Sequence, residues 1–464
     1  MPKRKSPVLD VINPATGQCV DSIPCDDATT VRAKYHAARE AQPAWAARPL
    51  RERIRAIGNF RDAIVRHEDE LADTLTTETG KPIAQARNEL KGLLPRLDFF
   101  QRETPRVLRA EKVLDDHQAG LTETITHEPL GVIANISAWN YPYFVGANVF
   151  VPALLAGNAV LYKPSEFATR TGLSIARLLH ASGVPEDVFA PLVGTGEIGA
   201  ALLRQPIDAV FFTGSYATGR KIARVVAGRM LKLQLELGGK DPAYVCDDVD
   251  VDAAAGAVAD GAFYNTGQSC CAVERVYVHA SIFDRFVRSF VATVKRCKIG
   301  DPRDPRTYIG PLTRPAQIEV LAAQVADAKK QGARVLTGGT PLRQHGNFFA
   351  PTVLVDVNHG MAVMRDESFG PVIGIMAVRD DAEAIALMND TEYGLTAAVY
   401  SRDEERARSI LGKVHSGSAY WNCCDRVSPR LPWSGLKHSG VGLTLSRYGI
   451  QTFTRPKAWH LRKA

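Results

Sequence analysis

Between Gly131 and Thr213 the chain repeats one pattern: a short apolar run, a turn, then a helix-forming stretch. The apolar runs are Gly131 to Ile136, Ala159 to Lys163, Phe189 to Val193 and Ala209 to Thr213. Runs of this length with no polar alternation are those of strands buried on both faces, as in a parallel sheet. Between the first three lie the helical stretches Val145 to Leu155 and Gly172 to Ser182. Such β-α-β-α alternation predicts a doubly wound parallel sheet, with a ligand across the carboxyl ends of its strands.

After Gly238-Gly239 the pattern starts again. It predicts the helix Val251 to Ala262, the strand Arg275 to His279, the helices Phe283 to Lys295 and Ile318 to Gly332, a strand near Val335, and an αβ pair around Glu383 to Tyr400. The fold class is therefore α/β with a second α/β domain, as a 464-residue chain exceeds what one core supports. Ahead of the first sheet, a strand from Asp10 runs into an Asn-Pro and Thr-Gly turn ending at Gly17. From Thr29 to Thr79, Ile54, Ile57, Phe60, Ile64, Leu71 and Leu75 recur at helical spacing. Gly80-Lys81-Pro82 stops that helix, and Ile83 to Phe100 resumes it. Asp115 to His127 alternates like an exposed strand and reads as an arm leaving the body. Gln451 to Leu461 alternates as well, and could pair with that arm or with another subunit.

The net charge of +7 is mild, and its clearest cluster is Pro2-Lys3-Arg4-Lys5, a solvated terminus. No basic stripe interleaved with aromatics appears elsewhere, so no nucleic-acid partner is expected. No apolar region follows the N-terminal charges, and no run of about 18 apolar residues exists, so neither a secretory signal nor a membrane span is expected. The 8 cysteines show no C-x-x-C spacing and no metal-like pairing with histidine, so no metal is expected. Free thiols fit a reducing, cytoplasmic setting.

The chemistry-bearing stretch is Phe263-Tyr264-Asn265-Thr266-Gly267-Gln268-Ser269-Cys270-Cys271. Glycine permits a sharp bend, and a thiol presented at such a bend can be a nucleophile where its thiolate is favoured. A free cysteine is more commonly a small buried hydrophobe. Leu235-Glu236-Leu237-Gly238-Gly239-Lys240 sets a carboxylate among apolar residues, which raises its pKa into the range of a general base. Asn140, after a buried strand, could polarise a carbonyl oxygen or simply satisfy a turn. Gly194-Thr195-Gly196-Glu197-Ile198-Gly199 fits a dinucleotide fingerprint, but the next strand ends in Gly214-Ser215 without the acid that would hold a ribose. It reads as a strand-to-helix turn. Thr213-Gly214-Ser215 opens another helix and suits a pyrophosphate, while Lys163 and Glu166 follow a strand of the same sheet.

Taken together, these stretches resemble the aldehyde dehydrogenase superfamily from about Asn13 through Phe453. The resemblance rests on Trp139-Asn140-Tyr141-Pro142, Lys163-Pro164-Ser165-Glu166, Phe212-Thr213-Gly214-Ser215, the Glu236 and Cys270 stretches, Glu367-Ser368-Phe369-Gly370-Pro371, Asn389 with Tyr393-Gly394-Leu395, and Gly435-Leu436-Lys437-His438-Ser439-Gly440. Glu236 and Cys270 stand 34 residues apart, as the family's base and nucleophile do.

The resemblance implies that Cys270 attacks an aldehyde, with Asn140 and the Cys270 backbone N–H holding the oxyanion and Glu236 activating water against the thioester. It implies NAD as cofactor, with NADP accepted more weakly. Ile136, Trp139, Lys163, Glu166, Gly214, Ser215, Gly239, Glu367 and Phe369 would bind it, with Lys163 and Glu166 at the adenosine ribose and Glu367 at the nicotinamide ribose. It further implies a dinucleotide-binding domain over 1–108 and 129–238, a catalytic domain over 239–440, and an oligomerisation arm over 109–128 and 441–464, hence a homo-oligomer, dimer or tetramer.

The departure is Pro432-Trp433-Ser434-Gly435, where the family usually has Pro-Phe-Gly-Gly, at the expected substrate mouth. Tyr143, Tyr264, Cys271, Arg426 and Trp433 are the expected substrate contacts, and Arg426 with Arg430 could meet a carboxylate-bearing semialdehyde. Tyr264 stands where succinate-semialdehyde enzymes typically carry an arginine. Semialdehyde or aminoaldehyde specificity remains open at this point, as does, in another class, a thiol hydrolase using Cys270, which would need a histidine partner.

Overall fold

The computed structural model describes residues 7–342 and 345–463, so the basic cluster Pro2 to Lys5 lies outside the described residues. The first sheet has the strand order Gly440–Val441, Lys232–Glu236, Ala209–Thr213, Val132–Ile136, Ala159–Lys163, Phe189–Pro191. All its pairings are parallel except that of Gly440–Val441. The order reverses at Val132–Ile136, which is flanked by Ala159–Lys163 and Ala209–Thr213. A parallel sheet opens a crevice at such a reversal, outside the carboxyl ends of the strands. Ile136, Lys163 and Thr213 are the last residues of those three strands.

The second sheet has the order Arg334–Thr337, Thr352–Val355, Val372–Val378, Val273–His279, Asp241–Val245, Thr396–Tyr400, Ser418–Trp421, parallel except at its first pair. Buried apolar residues cover both its faces. The sheets are joined in four residues: Glu236 ends one strand and Asp241 begins the next. The carboxyl edge of the first sheet therefore meets the amino edge of the second.

Three helices, Ala28–Ala47, Leu50–Arg66 and Glu68–Thr79, precede the first sheet, and Gly80 ends the third at φ 78°. The helix resumed at Ile83 runs past the expected Phe100 to Val107, because Phe99, Phe100 and Val107 keep its buried face going. The helix expected from Val145 begins at Pro142, where a proline costs no hydrogen bond. Of the two pairings open to the tail, the structure has the intrachain one: Thr454–Arg462 lies antiparallel to Leu121–Pro129, which also pairs Glu111–Asp116. No helix among the described residues is long and apolar enough to cross a membrane.

Asn158 ties these parts together. Its Oδ1 accepts the Gly131 N–H at 2.9 Å, and its Nδ2 donates to the carbonyls of Ala153 at 3.0 Å and Phe453 at 2.9 Å. Asn158 is fully buried. Replacing it with leucine strands the Gly131 N–H and the Phe453 carbonyl, while Ala153 keeps the residue-158 backbone N–H, so Asn158→Leu is expected to lose about 2–4 kcal/mol of stability in chemical unfolding. An unchanged midpoint would contradict this bracing.

Candidate active site

The helix Val251–Phe263, capped by Asp250, delivers the chain to the thiol loop. Asn265 and Thr266 both take left-handed conformations, at φ 54° and 58°. For a β-branched residue such backbone costs about 1–3 kcal/mol, so its surroundings must hold it. The Asn265 N–H donates to Gln85 Oε1 at 2.9 Å, and its Nδ2 to the carbonyls of Asn140 at 3.2 Å and Gln268 at 3.0 Å. The Thr266 hydroxyl accepts the Gly310 N–H at 3.0 Å. Gly267 has φ 71°, and a Cβ there would lie 2.4 Å from the Gly370 carbonyl oxygen. Only glycine fits where the thiol loop meets the segment carrying Glu367 and Phe369.

Cys270 is half-buried. Hydrogen bonding with Cys271 favours its thiolate, but burial and the carboxylates of Glu236, Asp425 and Asp241 outweigh that and push the thiol up. Cys271 is buried and donates to Asp425 Oδ1 at 3.0 Å. Its hydrogen bond to Cys270, then burial and Asp425, push its thiol far higher. Asn140 is buried as well, and its Nδ2 donates to the Gln268 carbonyl at 3.2 Å.

Glu236, 4% exposed, ends its strand inside the protein. Burial pushes its carboxyl up to about 7, against the pull of the Trp433 indole, the Arg96 guanidinium and the Thr213 hydroxyl. The Trp433 Nε1–H donates to Glu236 Oε1 at 2.6 Å. A carboxyl poised there exchanges protons readily near neutral pH.

Two cavities meet at Cys270, the one described residue lining both. On one side lies a chamber of about 330 Å³ lined by Glu236, Tyr264, Cys271, Arg426 and Trp433, together with Tyr141, Phe144, Arg96 and Asp425. On the other lies a cleft of about 300 Å³ lined by Asn140, Trp139, Gly214, Ser215, Glu367 and Phe369. Through Trp139, Thr213, Gly214 and Ser215 the cleft continues into a space of about 620 Å³ lined by Ile136, Lys163 and Glu166. Of the expected substrate contacts, Tyr143 is a correction. Its ring is 1% exposed in the core, its hydroxyl donates to the Leu71 carbonyl at 3.1 Å, and it lines no part of the chamber. Arg430 is exposed and lines no part of it either.

The cleft has a donor set that fits a dinucleotide. Lys163 Nζ and Glu166 Oε2 stand 3.7 Å apart at its far end, a cation and a carboxylate suited to ribose hydroxyls. Ser215 caps the helix Tyr216–Val226, accepting from the Thr218 N–H, and the helix N-terminus offers backbone N–H groups to a pyrophosphate. Trp139 and Phe369 meet edge to face, ring centres 5.4 Å apart, beside the thiol. Gly239 lies behind the cleft wall and donates its N–H to Glu367 Oε1 at 3.1 Å. Burial and the Glu274 carboxylate push the Glu367 carboxyl up. The Gly194 to Gly199 motif forms a turn into the 8-residue helix Gly196–Leu203, with Gly196 and Gly199 in the far wall.

Sequence reasoning missed Arg96, Asp425, Tyr141, Phe144 and, in the cleft, Lys221 and Arg314. A signal for the first existed. Gln85, Asn88, Glu89, Gly92 and Arg96 recur at helical spacing and form one face of the helix Ile83–Val107, lining the chamber. No histidine stands among the described residues lining the chamber or cleft.

Known proteins share this fold. Residues 2–459 match the profile of the Aldehyde dehydrogenase family. The chain is 35% identical over 451 residues to the glutarate-semialdehyde dehydrogenase of Pseudomonas aeruginosa, covering 97% of this chain and 93% of that one. It is likewise 35% identical over 451 residues, with the same coverage, to the NADP(+) succinate-semialdehyde dehydrogenase GabD of Escherichia coli. The crystal structure of PnpE, a Pseudomonas sp. protein, in complex with nicotinamide adenine dinucleotide superposes with a TM-score of 0.95 at 32% identity, covering 98% of this chain and 94% of that one.

Of the adjacent thiols, only Cys270 opens to both cavities. A limiting amount of iodoacetamide is therefore expected to carbamidomethylate Cys270 ahead of Cys271, read by peptide mapping of samples kept in reductant. The reverse order would contradict the geometry.

Proposed function

The chain belongs to the aldehyde dehydrogenase family, and on that footing we propose that it oxidises an aldehyde to the carboxylic acid through Cys270, with a nicotinamide dinucleotide as hydride acceptor. One observation carries the reading: Cys270 forms the common wall of a chamber containing a poised carboxylate and a cleft with a dinucleotide donor set. The aldehyde enters the chamber, and the Cys270 sulfur bonds to its carbonyl carbon as the S–H bond breaks and its proton passes to water in the chamber. The oxygen that gains charge is met by the Asn140 amide and the Cys270 backbone N–H. The chemistry supplied by a bound nicotinamide is hydride acceptance, which takes the Cys270 adduct from thiohemiacetal to thioester. Lys163, Glu166, Gly214, Ser215, Trp139, Glu367 and Phe369 would hold that cofactor, with Ile136 in the cleft wall and Gly239 steadying Glu367. Glu236 then takes a proton from water as its oxygen bonds to the acyl carbon, and the C–S bond breaks to release the acid.

The cofactor is NAD in preference to NADP, since the Glu166 carboxylate at the ribose end repels a 2′-phosphate. Lys163 and Lys221 at the same end soften the discrimination. The ratio kcat/KM is expected to be higher with NAD, and a higher value with NADP would refute the role of Glu166.

A second reading concerns substrate class, and Arg96 favours it. This buried guanidinium lines the chamber, yet its hydrogen bonds among the described residues go only to Asn148 Oδ1 at 2.9 Å and the Val427 carbonyl at 3.2 Å. Among the described residues no carboxylate forms a salt bridge with it, Glu236 and Glu89 acting on it only through space, and Arg426 lines the same chamber. A carboxylate-bearing semialdehyde would fill that need, in keeping with the two semialdehyde dehydrogenases the chain resembles. An initial-rate panel of aliphatic, aromatic, amino- and carboxy-aldehydes tests it, and indifference to a carboxylate would remove the reading.

The arm supports a homo-oligomer. Its edge strand exposes Val113 and Leu114, and the tail strand exposes Trp459 and Leu461.

Glu236 separates the two half-reactions. With Glu236→Gln, rapid mixing of aldehyde and NAD is expected to give a burst of reduced cofactor near one per site, then turnover slowed by about 10²–10⁴-fold. A missing burst would give Glu236 the thiol proton as well. A wild-type steady-state rate would leave the hydrolytic step needing another base.

A further inference from the structure

Trp433 stands where the resembling family usually carries phenylalanine, and a phenyl ring has no N–H to donate. Here the indole N–H has one hydrogen-bond partner among the described residues, Glu236 Oε1 at 2.6 Å. Both ends of that contact are rigid. The Trp433 backbone N–H donates to the Thr444 carbonyl at 2.8 Å and its carbonyl accepts the Thr444 N–H at 3.0 Å, while the side chain is 3% exposed. Glu236 is paired on one side with Thr213 and on the other with Gly440. Neither backbone shifts without breaking a sheet or bridge pairing.

We propose that Trp433 is a positioning residue for the deacylation step: its indole N–H fixes one oxygen of the Glu236 carboxylate and keeps that group ionised, so that the other oxygen receives the proton of the attacking water. This rests on the reading of Glu236 as the hydrolytic base. In the step itself, the water oxygen bonds to the acyl carbon, its proton passes to Oε2, and the C–S bond breaks with its electrons returning to Cys270. Water loses no hydride and no further reactant is needed.

An N–H donor to a buried carboxylate stabilises the charged form, and charge-assisted bonds are the strong ones. Two other groups facing Glu236 favour its ionised form as well. Arg96, from the helix Ile83–Val107, favours ionisation through space. The Thr213 hydroxyl favours it from the neighbouring strand. Cys270 and Asp425 place ionisable acids around the same chamber, and Arg426 a second cation. Among them, Trp433 is the one that donates a hydrogen bond to a Glu236 oxygen within 3.5 Å, at 2.6 Å.

The test is Trp433→Phe, which keeps the ring and removes the donor. Two measurements are made: the pH profile of kcat, and an infrared titration of the Glu236 carboxyl in the cofactor-free protein, identified by difference against Glu236→Gln. A hydrogen bond to a charged group corresponds to a shift of about one pH unit. The carboxyl band of Trp433→Phe is therefore expected to titrate about one unit higher than wild type. The acid limb of kcat should move with it, so that the variant loses about fivefold at pH 7 and converges with wild type above about pH 9. A carboxyl that titrates at the same pH in both proteins overturns the proposal, as does a loss of kcat equal at every pH, the mark of a merely structural role. A shifted band in proteins whose kcat profiles show no acid limb would leave the Trp433 contact standing and remove Glu236 as the base.

Discussion

The chain crosses from the strand Lys232–Glu236 to the strand Asp241–Val245 in four residues, and Lys240, at the end of that crossing, is held by a buried ion pair. Lys240 Nζ lies 2.7 Å from Glu274 Oε2 and 3.0 Å from Ser368 Oγ. Glu274 in turn accepts the N–H groups of Ser368 at 2.8 Å and Phe369 at 2.9 Å. A buried pair holds its place only when its remaining hydrogen-bonding positions are filled, and loses several kcal/mol when one partner goes. Here those bonds fasten the crossing to the segment that carries Glu367 and Phe369. Gly238 lets that segment close in, since a Cβ there would lie 2.2 Å from Glu367 Oε1. The short crossing, the ion pair and the glycine together place the strand-end carboxylate, the thiol loop and the cleft within reach of one another.

Burial then sets the chemistry. It lifts the Glu236 carboxyl into the neutral range and, with nearby carboxylates, disfavours the Cys270 thiolate. Burial pulls the Arg96 guanidinium down to about 10, which still leaves it charged at neutral pH. The chamber is thus a low-dielectric space in which a fixed cation, a poised acid and a protonated thiol face an incoming carbonyl. Interactions with developing charge are stronger there than in water.

The strand alternation was legible because buried parallel strands have no competing reading at that length. The thiol, base and amide were legible as motifs; Glu236 lines the chamber, Asn140 the cleft and Cys270 both. Tyr143 sits in the core rather than at the entrance because the helix phase decides which aromatics face the chamber. Once the helix begins at Pro142, each residue rotates about 100°, so Tyr141 and Phe144 share a face toward the chamber and Tyr143 turns into the core. Arg96 was readable in principle, as a charge on a buried helical face. Asp425 was not: its side chain reaches Ser269 and Cys271 from a loop in which Asn422 and Asp425 take φ of 53° and 48°. No periodicity announces such a turn. For the tail, alternation identified a strand, while the choice of partner needed the three-dimensional path of the arm.

The central claim is that Cys270 carries the acyl group between the two cavities. Acid quenching of Glu236→Gln during turnover, followed by intact mass measurement and peptide mapping, tests it directly. The account predicts an adduct with the mass of the aldehyde less two hydrogens, located on Cys270. The same adduct on Cys271, or turnover in which no residue gains mass, would contradict it.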